Sequence, residues 1–233
     1  PIQRINVESM KVIIINSPHN PTGSVIRERD IDSLRKLVAE TGIFIISDEV
    51  YEHLTLDGRE HESILNYPSL YARSFITYSF GKVFHATGWK MGYCVAPPEL
   101  MKEYRKVHQF LSFSCNTPMQ VGLAEFLQYE HEYLGLPGFF KQKRDLFLDL
   151  LQDLPFTIYQ KAQGSYFQLA GYEMISDLPD KEFAIWLTKE YGVATIPVSA
   201  FNSNGRDDKL VRFCFAKKEE TLRAAYERLK RLK

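Results

Sequence analysis

The strongest constraint on the fold is a pair of short, continuously apolar segments separated by one amphipathic segment. Val12–Ile15 and Ile43–Ile46 are rich in β-branched residues, which indicates two strands buried on both faces. Between them, residues 27–40 carry apolar side chains at helical spacing and end before Gly42, which predicts a helix. A strand, a helix and a strand in this order predict a βαβ unit and therefore an α/β fold with a parallel sheet.

The pattern changes twice farther along the chain. Residues 75–78 and 93–96 predict two more strands, and long helices are expected over 99–111, 118–132 and 137–151. After Pro155, short strands at 156–159, 166–170, 193–196 and 210–215 alternate with helices over 181–191 and 219–232. We therefore expect a larger α/β domain over residues 1–135 and a smaller C-terminal α+β domain over residues 136–233.

Charge and cysteine usage narrow the class of protein. Among the 233 residues, 29 Lys and Arg balance 29 Asp and Glu, so the net charge offers no argument for a nucleic-acid or membrane partner. The three cysteines have no CxxC spacing, which is typical of reduced thiols in a cytoplasmic protein. The six histidines show no metal-ligand spacing, so no metal site is predicted.

Polar residues follow three of the predicted strands. Asn20 comes after the first strand, Asp48 and Tyr51 follow the second, and Ser79 and Lys82 follow the third. Taken singly, Asn20 is explained by a turn, Asp48 by a strand end and Tyr51 by core packing. Because the carboxyl ends of parallel strands meet at one edge of a sheet, where ligands bind, we expect these side chains to converge on one crevice.

Lys82 stands in the most informative stretch of the chain. It closes the segment Ser79–Lys82, which follows an apolar strand, and Lys90 closes the related segment Thr87–Lys90. Most lysines are solvated, but a lysine in such a turn can face a pocket, where its amine can condense with a carbonyl group. The Ser79 hydroxyl and the second ammonium group suit a phosphate.

Three motifs, in their order and spacing, resemble those of the class I/II aminotransferases of pyridoxal-phosphate (PLP) fold type I. They are Asn20–Gly23 (Asn-Pro-Thr-Gly), Ser47–Glu52 (Ser-Asp-Glu-Val-Tyr-Glu) and Ser79–Lys90. The tail Leu210–Ala216 is most similar to the methionine and kynurenine/glutamine branch. The resemblance covers the whole chain and implies an aspartate aminotransferase-like large domain with a mainly parallel sheet, followed by the small α+β domain.

The resemblance also implies roles for single residues. Lys82 would be the catalytic lysine that binds pyridoxal 5′-phosphate covalently, and Asp48 would pair with the pyridinium nitrogen. Arg212 would grip the substrate α-carboxylate through two parallel hydrogen bonds. The implied cofactor-binding residues are Asn20 and Tyr51 for the phenolic oxygen, Asp48 and Lys82 as stated, and Ser79 and Lys90 for the phosphate.

Compared with members of that family, the chain resembles a C-terminal portion. The N-terminal part of such enzymes would supply further strands, a glycine-rich phosphate loop and an aromatic side chain that stacks on the cofactor ring. We therefore expect the isolated chain to be weakly active or inactive.

The leading interpretation is transfer of an amino group from a neutral or aromatic amino acid, of the methionine, glutamine or kynurenine type, to a 2-oxo acid. The resemblance implies a homodimer. Two alternatives stay open. A PLP-dependent C–S β-lyase shares the Lys, Asp, Tyr and Arg constellation, and a non-catalytic PLP-sensing domain of a regulator shares the fold.

Overall fold

A computed structural model describes residues 9–232 of the protein. The strands of this part of the chain are β1 (Val12–Asn16), β2 (Phe44–Asp48), β3 (Ser74–Ser79), β4 (Gly92–Val95), β5 (Phe167–Gly171), β6 (Ile196–Pro197) and β7 (Leu210–Cys214). The α-helices are α1 (Glu28–Val38), α2 (Pro68–Tyr71), α3 (Phe80–Val83), α4 (Pro98–Leu111), α5 (Thr117–Phe126), α6 (His131–Leu134), α7 (Leu136–Leu151), α8 (Asp180–Tyr191) and α9 (Glu219–Leu229).

The described residues form two compact units. The first unit contains the residues up to Pro18 together with Val25–Thr55 and Arg59–Leu136. The second contains Pro137 and the residues that follow it, together with the short segments His19–Ser24 and Leu56–Gly58. The domain division expected from the sequence, 1–135 and 136–233, stays a prediction.

The first unit is built on a four-stranded sheet in the order β1-β2-β3-β4. The first three strands are parallel, and β4 runs antiparallel to β3, so the sheet is mainly parallel as expected. In the β1–β2 register, Asn16 lies opposite Asp48, which brings the ends of these two strands to the same edge of the sheet. The predicted βαβ unit is therefore present.

Helix α1 packs its apolar face against this sheet. Ile31, Leu34 and Val38 recur at helical spacing and are buried in one cluster with Ile45 and Ile76 of the sheet. Burial of each such aliphatic side chain contributes roughly 1.5–3 kcal/mol of transfer free energy. This packing holds β1, β2 and β3 side by side, and so fixes where the polar residues that follow them emerge.

The second unit has a three-stranded antiparallel sheet in the order β5-β7-β6. Strand β7 occupies the centre and carries Arg212 between the buried residues Val211 and Phe213. On the opposite side of the strand from those two residues, Arg212 is half-buried. The alternation of burial along β7 therefore presents the guanidinium on one face of the sheet.

Three expected elements differ in the structure. The strand predicted over 193–196 shares only its last residue with the short strand β6. The strand predicted over 156–159 is reduced to a single bridge, in which Thr157 pairs with Gly171. The helix predicted over 118–132 ends at Phe126, and the separate short helix α6 follows. No glycine or proline marks that interruption, so nothing in the local sequence predicts it. Over residues 9–232, none of the helices is both long enough and apolar enough to cross a membrane.

Candidate active site

Asp48 ends strand β2 and is held there by its backbone. The Asn16 side-chain amide and the Ser17 N–H donate to the Asp48 carbonyl at 2.9 and 3.1 Å. Its carboxylate accepts from the Val50 N–H at 3.3 Å. Burial raises the pKa of Asp48 above its ordinary value, while the Val50 N–H and the Lys82 ammonium group oppose the rise. A cation placed against this carboxyl would favour its ionised form.

Tyr51 and Lys82 lie close to each other in the first unit. Tyr51 is only 2% exposed, and the Lys82 Nζ atom lies 6.0 Å from the centroid of its ring. Lys82 stands in the short helix α3, which begins directly after β3 ends at Ser79. The Lys82 charge also acts on Asp48, so the three predicted residues are brought together.

The turn around Lys82 is closely packed. A Cβ atom on Gly81 would lie 3.0 Å from the Thr87 Cα atom, and the Thr87 hydroxyl donates to the Gly81 carbonyl at 3.0 Å. Ser79 is half-buried at the end of β3. Lys90 is exposed and has a left-handed backbone, with a φ of 56°. The structure therefore supports the placement of Lys82 in a rigid turn, while the phosphate roles of Ser79 and Lys90 stay predictions.

A buried network behind Asp48 was not predicted from the sequence. Glu49 is 1% exposed and accepts from the Ser47 hydroxyl, the His61 ring, the Tyr78 hydroxyl and the Ile64 N–H at 2.8, 2.8, 3.0 and 3.0 Å. Burial alone would raise the pKa of Glu49, but the hydrogen bond and charge of His61 and the other donors lower it below its ordinary value. The network anchors the end of β2 next to Asp48.

Glu52 is the other carboxyl of this region. Its side chain is 13% exposed, and its Oε2 atom is buried with no hydrogen-bond partner among the described residues. Burial, with a smaller contribution from the Glu49 charge, raises the pKa of Glu52 to about 7. The ionised form of Glu52 is therefore disfavoured in the folded protein.

We expect Glu52→Gln to flatten the pH dependence of stability. In the unfolded chain Glu52 ionises near pH 4.5, whereas in the folded protein it keeps its proton up to about 7. The folded state therefore loses stability as the pH rises between these two values, by up to roughly 3 kcal/mol. Urea denaturation at pH 5 and pH 8 checks this, with the exposed Glu60→Gln as the matched control. An equal loss of stability with pH in the wild type and in Glu52→Gln would contradict it.

In the second unit, Asn20 and Arg212 form a direct pair. The Arg212 guanidinium donates to the Asn20 Oδ1 atom at 2.5 Å. It also stacks on the Phe167 ring, with 3.9 Å between the Cζ atom and the ring centroid, and a second ring, that of Phe201, lies 5.4 Å away. Since these rings restrict the guanidinium plane, the fork is preorganised for a planar anion such as a carboxylate.

The turn that carries Asn20 is closed by its backbone. The Gly23 N–H donates to the His19 carbonyl at 2.8 Å, and the Gln163 and Gly164 N–H groups donate to the Gly23 carbonyl at 2.7 and 2.9 Å. Gly23 has a φ of +67°, and a Cβ atom there would lie 2.7 Å from the Ala162 Cβ atom. Only glycine satisfies both the backbone angle and the contact.

We expect Gly23→Ala to destabilise the protein by about 2–4 kcal/mol, because left-handed strain and a steric clash add. Gly205→Ala is the matched control. Gly205 has a φ of +66°, but nothing lies within 4 Å of the position that a Cβ atom would take there, so we expect a loss of only about 1 kcal/mol. Urea denaturation measures both losses, and equal effects would show that the Ala162 contact does not matter.

The side chains of the two units define what chemistry is available. In the first unit they include an amine for a carbonyl group, a carboxylate for a ring cation, a buried phenol and a hydroxyl beside the lysine turn. In the second they include a guanidinium for a carboxylate. The donor set of the first unit fits the aldehyde, pyridine and phosphate groups of PLP. Within residues 9–232, no cluster of three or more His, Cys, Asp and Glu side chains is arranged to hold a metal ion.

Comparison with known proteins identifies relatives of the chain. The methionine aminotransferase of Escherichia coli is 48% identical over 226 residues, which cover 97% of this chain and 58% of that protein. Kynurenine–oxoglutarate transaminase 1 of Rattus norvegicus is 36% identical over 96% of this chain and 58% of its own length. The chain therefore spans less than two thirds of the curated relatives that it matches.

A solved structure agrees with these matches. An Escherichia coli protein described as having a methionine aminotransferase function superposes with a TM-score of 0.93 at 46% identity, over 99% of this chain and 61% of that one. The predicted aspartate aminotransferase-like fold is confirmed by such structures. The family model described as aminotransferase class I and II matches residues 2–229. Since that match contains the lysine turn, the Asp48–Tyr51 segment and the Asn20–Arg212 pair, the chain belongs to the class I and II aminotransferase family.

Proposed function

We propose that the protein is a PLP-dependent aminotransferase that moves an amino group from a neutral or aromatic amino acid to a 2-oxo acid. The observation that carries the proposal is the grouping of Lys82, Tyr51 and Asp48 at the strand ends of the first unit. The names of the relatives favour a substrate of the methionine or kynurenine type.

The residues of the first unit would hold the cofactor and move a proton. When bound, PLP supplies an aldehyde for the amino group and a ring that accepts electrons. The Lys82 amine would bind the aldehyde carbon and, once released, carry the proton between the substrate Cα atom and the cofactor C4′ atom. Asp48 would keep the ring nitrogen protonated, and Tyr51 would donate to the phenolic oxygen. Ser79 and Lys90 would bind the phosphate.

The residues of the second unit would bind substrate and support the phenolic oxygen. Arg212 would hold the α-carboxylate with two parallel hydrogen bonds, an arrangement that its stacking on Phe167 favours. Asn20 would use its side-chain amide N–H on the phenolic oxygen while its Oδ1 atom accepts from Arg212. A single amide would thus couple carboxylate recognition to cofactor binding.

A single-turnover experiment, with the chain and PLP in equal amounts, tests the reaction class. We expect PLP, chain and methionine to yield pyridoxamine phosphate and the methionine-derived oxo acid, followed by return of the amino group to an added 2-oxo acid. Pyruvate release from cystathionine without any need for an oxo acid would instead support the C–S β-lyase. Neither product, with PLP bound, would count against transamination by this chain.

We also propose a homodimer in the cytoplasm. The dimer is supported by exposed apolar side chains around the end of α4, where Phe110, Leu111 and Phe113 are 88, 80 and 79% exposed. The cytoplasm is supported by Cys94, Cys115 and Cys214, which are free in the structure. Analytical ultracentrifugation tests the dimer, and sedimentation as a monomer at micromolar concentration would contradict it.

A further inference from the structure

The second unit contains a fully buried arginine that the roles proposed above do not use. Arg144 lies in α7 and is 0% exposed. Its guanidinium donates to both Asp57 carboxylate oxygens at 2.8 and 2.6 Å and to the Ala162 carbonyl at 2.7 Å. The Asp145 carboxylate accepts from Nε and Nη2 at 3.0 and 2.8 Å. All five guanidinium N–H groups therefore have partners.

Each partner of Arg144 comes from a different segment of the unit. Asp57 belongs to the segment Leu56–Gly58, which is distant in sequence from α7, and its backbone is left-handed with a φ of 62°. The guanidinium, by its hydrogen bonds to this carboxylate, lowers the pKa of Asp57 below its ordinary value. The neighbouring Leu56 N–H donates to the Gln163 carbonyl at 2.8 Å. The segment thus contacts both the arginine and the loop that holds Ala162.

The loop of residues 162–164, called the Ala162 loop, contacts the turn that carries Asn20. One end of the loop is fixed by Gln168, which accepts from the Ala162 N–H at 3.0 Å. Ala162 itself is 0% exposed and packs against Gly23, and the next two N–H groups bind the Gly23 carbonyl. A continuous set of contacts therefore runs from Arg144 through Ala162 to Gly23, three residues from Asn20.

We propose that Arg144, clamped by Asp57, is a positioning residue that fixes the Asn20 turn through the Ala162 loop and so sets the geometry of the Asn20–Arg212 pair. The role of that pair rests on the proposed function. Arg144 itself would touch neither the substrate nor the cofactor.

Stability alone is a poor explanation for this arrangement. Burying a guanidinium with two carboxylates has a large desolvation cost, and well-packed apolar residues often stabilise a fold equally well. What apolar residues cannot supply is a planar group with five directed donors, which fixes a carbonyl, a distant carboxylate and a neighbouring carboxylate in one geometry. That property suits a role in orientation.

Two variants and one control test the positioning role of Arg144 and its pair with Asp57 in the cofactor-free chain. Arg144→Lys keeps the charge but removes the planar fork, whereas Asp57→Asn keeps the shape and leaves the Asp145 pair intact, so it is the milder change. Glu219→Gln removes an exposed ion pair with Arg223 in the same unit and serves as the matched control. Amide hydrogen exchange is measured at Gly23, Gln163 and Gly164.

We expect exchange at these three amides to become about 10-fold faster or more in both clamp variants, with the amides of the β5–β7 pairing unchanged within about 2-fold. The control is expected to match the wild type. Unchanged exchange at the three amides, or an equal acceleration throughout the unit, would overturn the proposal. The latter would show that Arg144 only contributes to global stability.

A second readout separates this inference from the proposed function. If wild-type chain transaminates, we expect Arg144→Lys to raise KM for the 2-oxo acid by about 10-fold or more while kcat falls less, because the Arg212 fork is misplaced rather than lost. If the variants show the localised exchange effects but the wild-type chain has no transaminase activity, the proposed function is contradicted and the positioning role of Arg144 is kept. Activity with no localised exchange effect would defeat the clamp alone.

Discussion

Lys82→Ala is expected to lower the chain-dependent conversion of PLP and methionine into pyridoxamine phosphate by at least about 10³-fold. The reason is that Lys82 is the one lysine placed within reach of both Asp48 and the Tyr51 ring in the described part of the first unit. A positioned general acid–base alone accounts for about 10²–10⁴-fold in rate, and covalent capture of the cofactor adds to it. Stopped-flow absorbance with stoichiometric chain measures the conversion.

Lys102→Ala is the control for this experiment. Lys102 is an exposed residue of α4, so its loss changes the net charge equally without touching the lysine turn. We expect its rate to equal that of the wild type. A Lys82→Ala variant that keeps more than about a tenth of the wild-type rate would remove Lys82 from the catalytic role.

Arg212→Lys is expected to reduce kcat/KM for the amino acid by about 30- to 5000-fold, mainly through a higher KM. The guanidinium donates to Asn20 at 2.5 Å and stacks on Phe167 at 3.9 Å, so its plane is fixed before substrate arrives. Lysine keeps the positive charge but offers neither the fork nor the stacking plane. Loss of a desolvated, hydrogen-bonded charge contact costs roughly 2–5 kcal/mol, which corresponds to the expected range.

Steady-state kinetics with amino acid and 2-oxo acid varied separately measure the Arg212 effect. Arg206→Lys is the control, because Arg206 is exposed and forms an ion pair with Asp208 in its own loop. An Arg212→Lys variant whose two KM values both stay within 2-fold of the wild type would show that another group recognises the carboxylate.

The elements that the sequence predicted best are those with a strong local pattern. Val12–Ile15 and Ile43–Ile46 predicted parallel strands, and the structure pairs Ile13 with Ile45 and Ile14 with Ile46 in that register. The expected burial on both faces was wrong, because Val12, Ile14 and Phe44 are 45, 71 and 43% exposed and no described residues cover that face. The positions of the polar residues at the strand ends could also be predicted. The local sequence shows where each strand ends, and in a parallel sheet the carboxyl ends of neighbouring strands meet at one edge. This reasoning predicted that Asp48, Tyr51 and Lys82 lie close together, and their chemical roles stay predictions.

The features that the sequence did not predict depend on contacts between distant residues. Arg144 stands in the run Lys143-Arg144-Asp145, which is typical of a solvated helix face, yet the structure buries it against Asp57. Glu49 is likewise indistinguishable from a surface acid until His61 and Tyr78 are brought to it. Because side-chain hydrogen bonds between distant residues leave no periodic pattern in the sequence, no local pattern predicts them.

The expected strand at 156–159 was wrong for a related reason. Its apolar residues fit a strand, but Phe156 is buried against Phe213, and backbone pairing is limited to the bridge between Thr157 and Gly171. The apolar side chains are thus buried by tertiary packing, although this segment lacks the backbone hydrogen bonds of a β-strand.

The most direct test of this account is to add PLP to the purified chain, reduce the mixture with borohydride and map the modified peptide. If Lys82 binds the cofactor, the mixture shows a coenzyme absorbance band and a pyridoxyl label on Lys82 within the peptide that contains Gly81 and Thr87. The absence of a band, or a label spread over exposed lysines such as Lys102, would contradict the claim that the residues of this chain hold the cofactor.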